Sequence, residues 1–455
     1  MNINNLQVQL QTAVENAATE ASTDNTSATL YYLQLAKAVQ ALNMGQIRTI
    51  DAVANLPSAA ASEGWLYFVQ DIERLYFSNG TAWADIAPAT VYNNTAWAWG
   101  CNGQGEIGDN TTVSKSSPVS VIGGYTDWCQ ISGGGTHSLG LRTNGTIWSW
   151  GNGGNGRLGD NNTTNRSSPV SVVGGFTDWC DVSAGLNFSL GIRTNSTIWG
   201  WGLQSQGQLG DGTNADRSSP VSVVGGFTDW CQISAGSNHG TAVRTNGTIW
   251  GWGCNAGGRL GNNATADVSS PVSVVGGFTN WCKVAAGGKQ TLGLNTSGII
   301  WAWGYGSYGR LGYNCTTTQS SPVSVVGGFT DWCQISAGEQ HSMGVRTNGT
   351  IWAWGYGHQG QIGDNAGVVQ RSSPVSVVGG FTNWCQASAG VNDSFGVRTN
   401  GTLWAWGFNG TGRLGDGTTT NRSSPVLVAG NYTDWFRVAC SPKGSQTLAI
   451  RSTQV

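Results

Sequence analysis

Ser138-Leu139-Gly140-Leu141-Arg142-Thr143-Asn144-Gly145-Thr146-Ile147-Trp148-Ser149-Trp150-Gly151 is the stretch on which the fold turns. Leu139 and Leu141 alternate with Ser138 and Gly140, and Trp148 and Trp150 alternate with Ile147 and Ser149, so both halves carry the two-residue period of a strand. Between them lies Asn144-Gly145, the pair that best tolerates the positive φ angles of a two-residue hairpin turn. The same Asn-Gly returns at residues 246, 348 and 400.

Outward from this hairpin the chain repeats. Trp-x-Trp-Gly starts at Trp97, Trp148, Trp199, Trp250, Trp301, Trp352 and Trp404, in steps of 51 residues with a single step of 52. Ser-Ser-Pro-Val follows in register, and Thr-[Asp/Asn]-Trp supplies a third tryptophan per unit, from Trp128 to Trp435. Val170, Val172 and Val173 mark a third strand opened by Pro169, and Trp179 to Ser183 a fourth. Four short strands in 51 residues make a propeller blade, and the Asn-Gly turns exclude a helical solenoid. The expected fold class is mainly β, a seven-bladed β-propeller preceded by a short helical segment and a small β module.

The ends of the array predict how the ring closes. The first unit begins at Thr95-Ala96-Trp97 without the preceding strand and hairpin, and the last unit supplies that half in Arg437-Val438 through Leu448-Ala449-Ile450-Arg451. One blade built from both ends removes the two sheet edges that an open array exposes.

Composition narrows function. Of 455 residues 10% are charged, with a net charge of −2, and 39% are hydrophobic. A polyanion binder needs a basic face, so no nucleic-acid partner is expected. No run of 18 apolar residues predicts a membrane span, and the start of the chain lacks the basic and apolar regions of a signal peptide.

Trp-x-Trp-Gly, then Gly-[Arg/Gln]-[Leu/Ile]-Gly, Ser-Pro-Val and [Ile/Val]-Ser-Ala-Gly-x-x-His-Ser, resembles the repeat of the regulator of chromosome condensation family over residues 95–455. The resemblance implies a seven-bladed propeller with its termini interleaved in one blade. The family's named member exchanges guanine nucleotide on a small GTPase and binds chromatin through a basic tail, which has no counterpart here. Many relatives bind proteins or ligands, so the fold does not decide the function.

Three regions follow: residues 1–45, a helical attachment or oligomerisation segment; 46–90, a small β module; and 91–455, the propeller. Residues 3–21 and 27–44 read as two helices, with Ala28, Tyr32, Leu35, Val39 and Leu42 at heptad-like spacing and Gly45 as a C-cap. Gly64 to Val69 reads as a buried strand, and Arg74 to Trp83 as an aromatic hairpin around Asn79-Gly80. That hairpin resembles the small β modules of bacteriophage tail-fibre and other virion proteins.

The signatures of chemistry are sparse. Gly-x-Gly-x-x-Gly occurs at Gly151, Gly304 and Gly355, but no helix follows to receive a phosphate. Cys129, Cys180, Cys231, Cys282, Cys333 and Cys385 share one repeat position with Phe436, which suggests a small packing site and free thiols. Asp109, Asp160, Asp211, Asp364 and Asp416 follow Leu-Gly or Ile-Gly in turns and are a weak calcium candidate, since the spacing of a calcium-binding loop is absent. No nucleophile–base pair is visible. Neither an enzyme, a cofactor nor a metal is expected.

Variation among the units points to a contact surface. It concentrates after Trp-Gly and after Ser-Ala-Gly, and units five to seven place Tyr305, Tyr308, Tyr356 and Phe408 in neighbouring loops, with His358 and Asn409 beside them. His137, His239 and His341 share a position that Phe188, Gln290 and Asp393 fill elsewhere. Exposed aromatics beside amide and imidazole groups suit sugars or protein hot spots. The sequence reading is therefore a bacteriophage virion structural protein, a tail fibre or decoration. Its partners would be other virion proteins and a host surface glycan or protein, with a homotrimer formed through the N-terminal region. The alternative is an intracellular protein-binding propeller, including a guanine-nucleotide exchange-like factor.

Overall fold

The computed structural model describes residues 47–50, 66–69, 74–78, 83–85, 92–367 and 369–454. Two compact units emerge, residues 93–453 and a smaller one that carries the N-terminal part of the chain. The helices expected over 3–21 and 27–44 lie outside the described residues. In the smaller unit four strands follow one another in chain order: Ile47–Ile50, Leu66–Val69, Arg74–Ser78 and Trp83–Asp85. Ile47–Ile50, a strand that the sequence pattern did not suggest, runs parallel to the expected strand Leu66–Val69. Arg74–Ser78 pairs antiparallel with Trp83–Asp85, Ser78 opposite Trp83, as the two arms of the expected hairpin do; Asn79-Gly80 lies outside the described residues.

The larger unit is a seven-bladed propeller. Blade 1 comprises Trp128–Gly133, His137–Arg142, Ile147–Gly151 and Arg166–Ser171. Blades 2 to 6 repeat this order from Trp179, Trp230, Trp281, Trp332 and Trp384. Blade 7 joins the two ends of the array as expected: Trp435–Cys440 and Gln446–Gln454 come from the C-terminal side, Tyr92–Gly100 and Lys115–Ser120 from the N-terminal side.

Tryptophan packing explains the invariant positions. The second tryptophan of each Trp-x-Trp is fully buried against the blade interface, and the first is half-buried. Trp150 packs edge-on to Trp128 with centroids 6.1 Å apart and donates its indole N–H to Glu106 O of the preceding blade at 2.8 Å. Trp99 does the same to Arg413 O at 2.8 Å, which fastens the N-terminal strand of blade 7 to blade 6. Gly140 is glycine for this reason: a Cβ there would lie 2.4 Å from the Trp128 ring.

The first strands of neighbouring blades touch in an unbroken circle and so form the innermost layer around the axis. Their third and fifth residues link each blade to the next. At five junctions a fifth-position serine accepts a backbone N–H from the following blade, as Ser132 does from Ala184 at 3.0 Å and Ser388 from Cys440 at 3.0 Å. Third-position side chains act likewise: Gln232 Oε1 accepts Val284 N–H at 2.9 Å, and Gln386 Oε1 accepts Val438 N–H at 2.9 Å. Blades 4 and 7 differ, with Lys283 and Ala285 in one, Arg437 and Ala439 in the other. There the linkage runs in the donor sense. Gln290 Nε2 donates to Gly338 O and His341 O, and Gln446 Nε2 donates to Gly134 O and His137 O.

The shared cysteine position is a packing site only in part: Cys129 and Cys333 are half-buried against core clusters, and the other four are exposed. Each of the six sits where the first strand shifts register against the second, and its thiol donates to a strand carbonyl, Cys129 to Leu141 O at 3.3 Å. At such a bulge the side chain turns away from the sheet core, which is why Cys180, Cys231, Cys282 and Cys385 are exposed and why Phe436, 47% exposed, is tolerated in blade 7. All ten cysteines are free thiols in this structure.

Candidate functional site

Both variable stretches lie on one face of the ring. The loop between a blade's first and second strands and the loop between its third and fourth leave from the same end, and backbone hydrogen bonds join them. Tyr305 N–H donates to Lys289 O at 3.0 Å, Tyr356 N–H to Gln340 O at 2.9 Å and Phe408 N–H to Asn392 O at 2.8 Å. This brings Tyr305, Tyr308, Tyr356, His358 and Phe408 together as a sector across blades 4 to 6. Tyr308 meets Tyr356 edge-on at 5.0 Å between centroids, and Tyr356 stacks on His358 at 4.6 Å with ring planes 6° apart.

Beneath the aromatics lies a layer of cations that the sequence reading passed over. Arg310 Cζ lies 5.6 Å from the Tyr308 ring centroid, Arg259 Cζ 5.8 Å and Lys289 Nζ 5.5 Å from Tyr305, and Arg413 Cζ 4.9 Å from Phe408. These arginines are nearly buried and are anchored to main chain or hydroxyl groups, Arg310 to Ser307 O and Glu339 O, Arg413 to Ser445 Oγ. Each is the Arg of Gly-Arg-Leu-Gly, so the signal was present in the motif. Cation–π contact fixes the rings and spares them side-chain entropy on binding. Lys443 crosses from blade 7 to pair with Glu339 of blade 5.

Tyr308 carries a further mark. It is 37% exposed and sits at φ 64°, ψ 7°, inside the short turn Ser307–Gly309. Asn155 holds the same left-handed conformation in the equivalent turn Gly154–Gly156, and Gly257 does so in blade 3. Asparagine and glycine adopt this region readily, whereas a bulky aromatic is an outlier there.

The remaining expected contact residues are internal. Asn409 is fully buried and organises its own loop: its Nδ2 donates to Asp416 Oδ1 at 2.9 Å and Thr418 O at 3.1 Å, and its Oδ1 accepts Leu414 N–H at 2.9 Å. His137, His239 and His341 are also fully buried, so none of the three offers a surface to a ligand. Each bridges to the next blade. The Ser189 hydroxyl donates to Arg157 O at 2.9 Å, so it accepts from His137 Nε2–H at 2.9 Å, and Thr291 and Ser394 serve His239 and His341 in the same way. Burial, reinforced by the nearby arginine charges, drives all three imidazoles far below the usual range, His341 to about 3.

The turn aspartates are likewise committed to the fold. Asp211 Oδ1 accepts Thr213 N–H at 2.9 Å and its Oδ2 pairs with Arg217 at 3.0 Å. Partial burial raises the Asp211 pKa, but the Thr213 and Arg217 bonds outweigh it and hold the carboxylate below its ordinary value. Among the described residues no group of three or more His, Cys, Asp or Glu could hold a metal ion, and no helix is long and apolar enough to cross a membrane.

Comparison with known proteins agrees with this geometry. The regulator of chromosome condensation (RCC1) repeat matches residues 93–141, 144–192, 195–243, 246–294, 297–345 and 400–446. Curated relatives include the ultraviolet-B receptor UVR8 of Arabidopsis thaliana, 26% identical over 76% of this chain and 80% of that protein. The chain is 27% identical to the human E3 ubiquitin-protein ligase HERC2 over 74% of its own length but spans only 7% of the ligase. Among solved structures, Prp20p of Saccharomyces cerevisiae, described with its binding properties to Gsp1p and histones, superposes with a TM-score of 0.72 at 20% identity, covering 80% of this chain and 92% of that one. Human WBSCR16 superposes with a TM-score of 0.72 at 19% identity, covering 80% of this chain and 100% of that one. With the repeat matched over most of its length and the blades closed through both ends of the array, this chain belongs to the regulator of chromosome condensation (RCC1) repeat family.

Proposed function

We propose that the chain is a non-enzymatic, protein-binding propeller whose contact surface is the aromatic sector of blades 4 to 6. The observation that carries this reading is Tyr308, an exposed aromatic held in a left-handed backbone conformation over a buried arginine and against Tyr356. Rigid aromatics backed by guanidinium groups are the usual composition of protein hot spots. Prp20p, with binding properties to Gsp1p and histones, supports a protein partner over a small substrate. Replacing Tyr305, Tyr356 and Phe408 together with Ala is expected to weaken partner binding at least tenfold, while the thermal transition of the ring stays within a few degrees. Isothermal titration against the partner and a melting curve of the same variant check both halves. Unchanged affinity in a folded variant moves the contact surface elsewhere. A guanine-nucleotide exchange assay with a small GTPase separates exchange activity from simple binding.

The hairpin of the smaller unit favours a second reading of the setting, as a virion structural protein assembled in a host cytoplasm. Its support is Arg74–Ser78 paired with Trp83–Asp85 around the fibre-like Ser-Asn-Gly-Thr-Ala-Trp sequence. In this reading the partner is a host surface glycan or protein, or a neighbouring virion protein, and residues 1–45 make the chain a trimer. Mass spectrometry of purified particles tests the location. Light scattering of the full chain against one starting at Val91 tests the trimer, and a monomer in both rejects it.

A further inference from the structure

The junction between blades 7 and 1 is where the axial belt sets a cation that makes no hydrogen bond beside backbone donors without acceptors. At the other junctions the N–H groups of the fourth and sixth residues of a first strand point across to the preceding blade, where Gln, Asp or Ser side chains accept most of them. In blade 1 the equivalent groups are the N–H of Ile131 and of Gly133, and both residues are buried. The blade they face presents Arg437 and Ala439, neither of which accepts a hydrogen bond. Among the described residues, neither N–H has an acceptor, and the Arg437 guanidinium makes no hydrogen bond. Between blades 4 and 5 Lys283 and Ala285 likewise offer no acceptor to the N–H groups of Ile335 and Ala337, but there the cation is engaged, its ammonium donating to Cys333 O at 2.8 Å. Arg437 has found no such carbonyl.

We propose that the axial belt between blades 7 and 1 is a binding site for one small oxyanion, held by the Arg437 guanidinium and by the N–H groups of Ile131 and Gly133. The planar fork of arginine matches two oxygens of a carboxylate, phosphate or sulfate, and two strand N–H groups add the directional donors that anion sites built from backbone use. The surrounding charges leave room for a negative ligand. Asp181 of blade 2 is the carboxylate that influences Arg437, but its oxygens accept from Gln130 Nε2 at 2.7 Å and Ile233 N–H at 3.2 Å, and it forms no ion pair with the arginine. Cys129 faces the guanidinium as a neutral thiol, since burial pushes its pKa up to about 11. Desolvation lowers the pKa of Arg437, opposed by Cys129 and Asp181, as expected for a cation lacking a contact counter-charge.

Inorganic phosphate titrated into the full chain at constant ionic strength is the test, with sulfate and acetate as parallel arms. The expected result is a calorimetric stoichiometry of one anion per chain and a melting temperature about 2 °C higher at tenfold excess over the dissociation constant. Saturation by acetate in place of phosphate identifies the occupant as a carboxylate within the same oxyanion class. Arg437→Gln is expected to abolish the response and to melt no lower than wild type in phosphate-free buffer, because glutamine there can accept Ile131 N–H as Gln386 accepts Val438 N–H. Lys283→Gln should keep the response. Absence of saturable binding by all three anions, or an equal response in Arg437→Gln, overturns the proposal.

Discussion

A chain ending at Phe436 is expected to lose the cooperative unfolding transition of the propeller. The deletion removes Val438, Leu448 and Ile450 from the core of blade 7, each fully or almost fully buried. At roughly 1.5–3 kcal/mol per buried aliphatic side chain, the loss is about 5–9 kcal/mol, comparable to the whole net stability of a typical domain. It also strips Tyr92–Gly100 of its neighbouring strand and so exposes an edge next to Trp99. The Gln446 bonds to Gly134 O and His137 O, which tie blade 7 to blade 1, go with it. Differential scanning calorimetry of the truncated chain checks this, and a single sharp transition at the wild-type temperature would falsify closure by both ends.

The second large effect is acid sensitivity well above the range of carboxylate titration. His137, His239 and His341 have folded-state pKa values far below the unfolded value of about 6.5, so the unfolded chain binds protons first. Their contribution to stability is complete above about pH 6.5 and declines as the pH falls towards the folded value, about 3 for His341. At pH 5 the linkage amounts to about 2 kcal/mol per histidine, or about 6 kcal/mol for three. Asp109, Asp211, Asp416 and Asp434 are held low by hydrogen bonds and ion pairs that outweigh their burial, so their loss begins only near pH 4. Asp181 and Asp393, raised by burial, act in the opposite sense and take up protons in the folded state. Urea unfolding at pH 7 and pH 5 should show the drop, and a triple His→Gln variant should flatten it, since Gln290 and Gln446 already occupy the same position in blades 4 and 7. A slope unchanged by the triple substitution places the acid sensitivity elsewhere.

What was legible in the sequence was periodic. Trp-x-Trp-Gly, Asn-Gly and Ser-Ser-Pro-Val recur because every blade must solve the same packing problem, and the half-units at the ends of the array announced how the ring closes. Whether a variable residue faces solvent was harder to read. Asn409 and the three histidines vary between units as surface residues do, yet each is internal: Asn409 because a long loop needs a polar anchor, the histidines because a neighbouring blade covers them. The cysteine position misled in part, for the opposite reason, since a small residue at a constant site suggests packing until the bulge is seen. The axial belt was readable and was not read: Lys283 and Arg437 each come with Ala two residues on and with Gln290 or Gln446 in the histidine position, a joint change that only a shared contact explains. The arginines under Tyr305, Tyr308 and Phe408 stood in Gly-Arg-Leu-Gly, a motif that marked the family resemblance without showing that its cation lies beneath an aromatic ring.

The bulged cysteines turn the ring into its own protractor. Six chemically similar thiols stand at equal angular steps around one rim, and the seventh step is marked by Phe436. Spin labels on them would report only a few chord lengths, those of a heptagon missing one vertex, and a ring that opened would blur them all at once. Reactivity orders the labelling. Hydrogen bonds from Thr317 and Tyr313 bring Cys315 down to about 7, whereas burial pushes the half-buried Cys129 up to about 11. With Cys101, Cys254 and Cys440 replaced by Ser and Cys315 capped first at neutral pH, the rim is left to be read as a compass whose blank point is the closing blade.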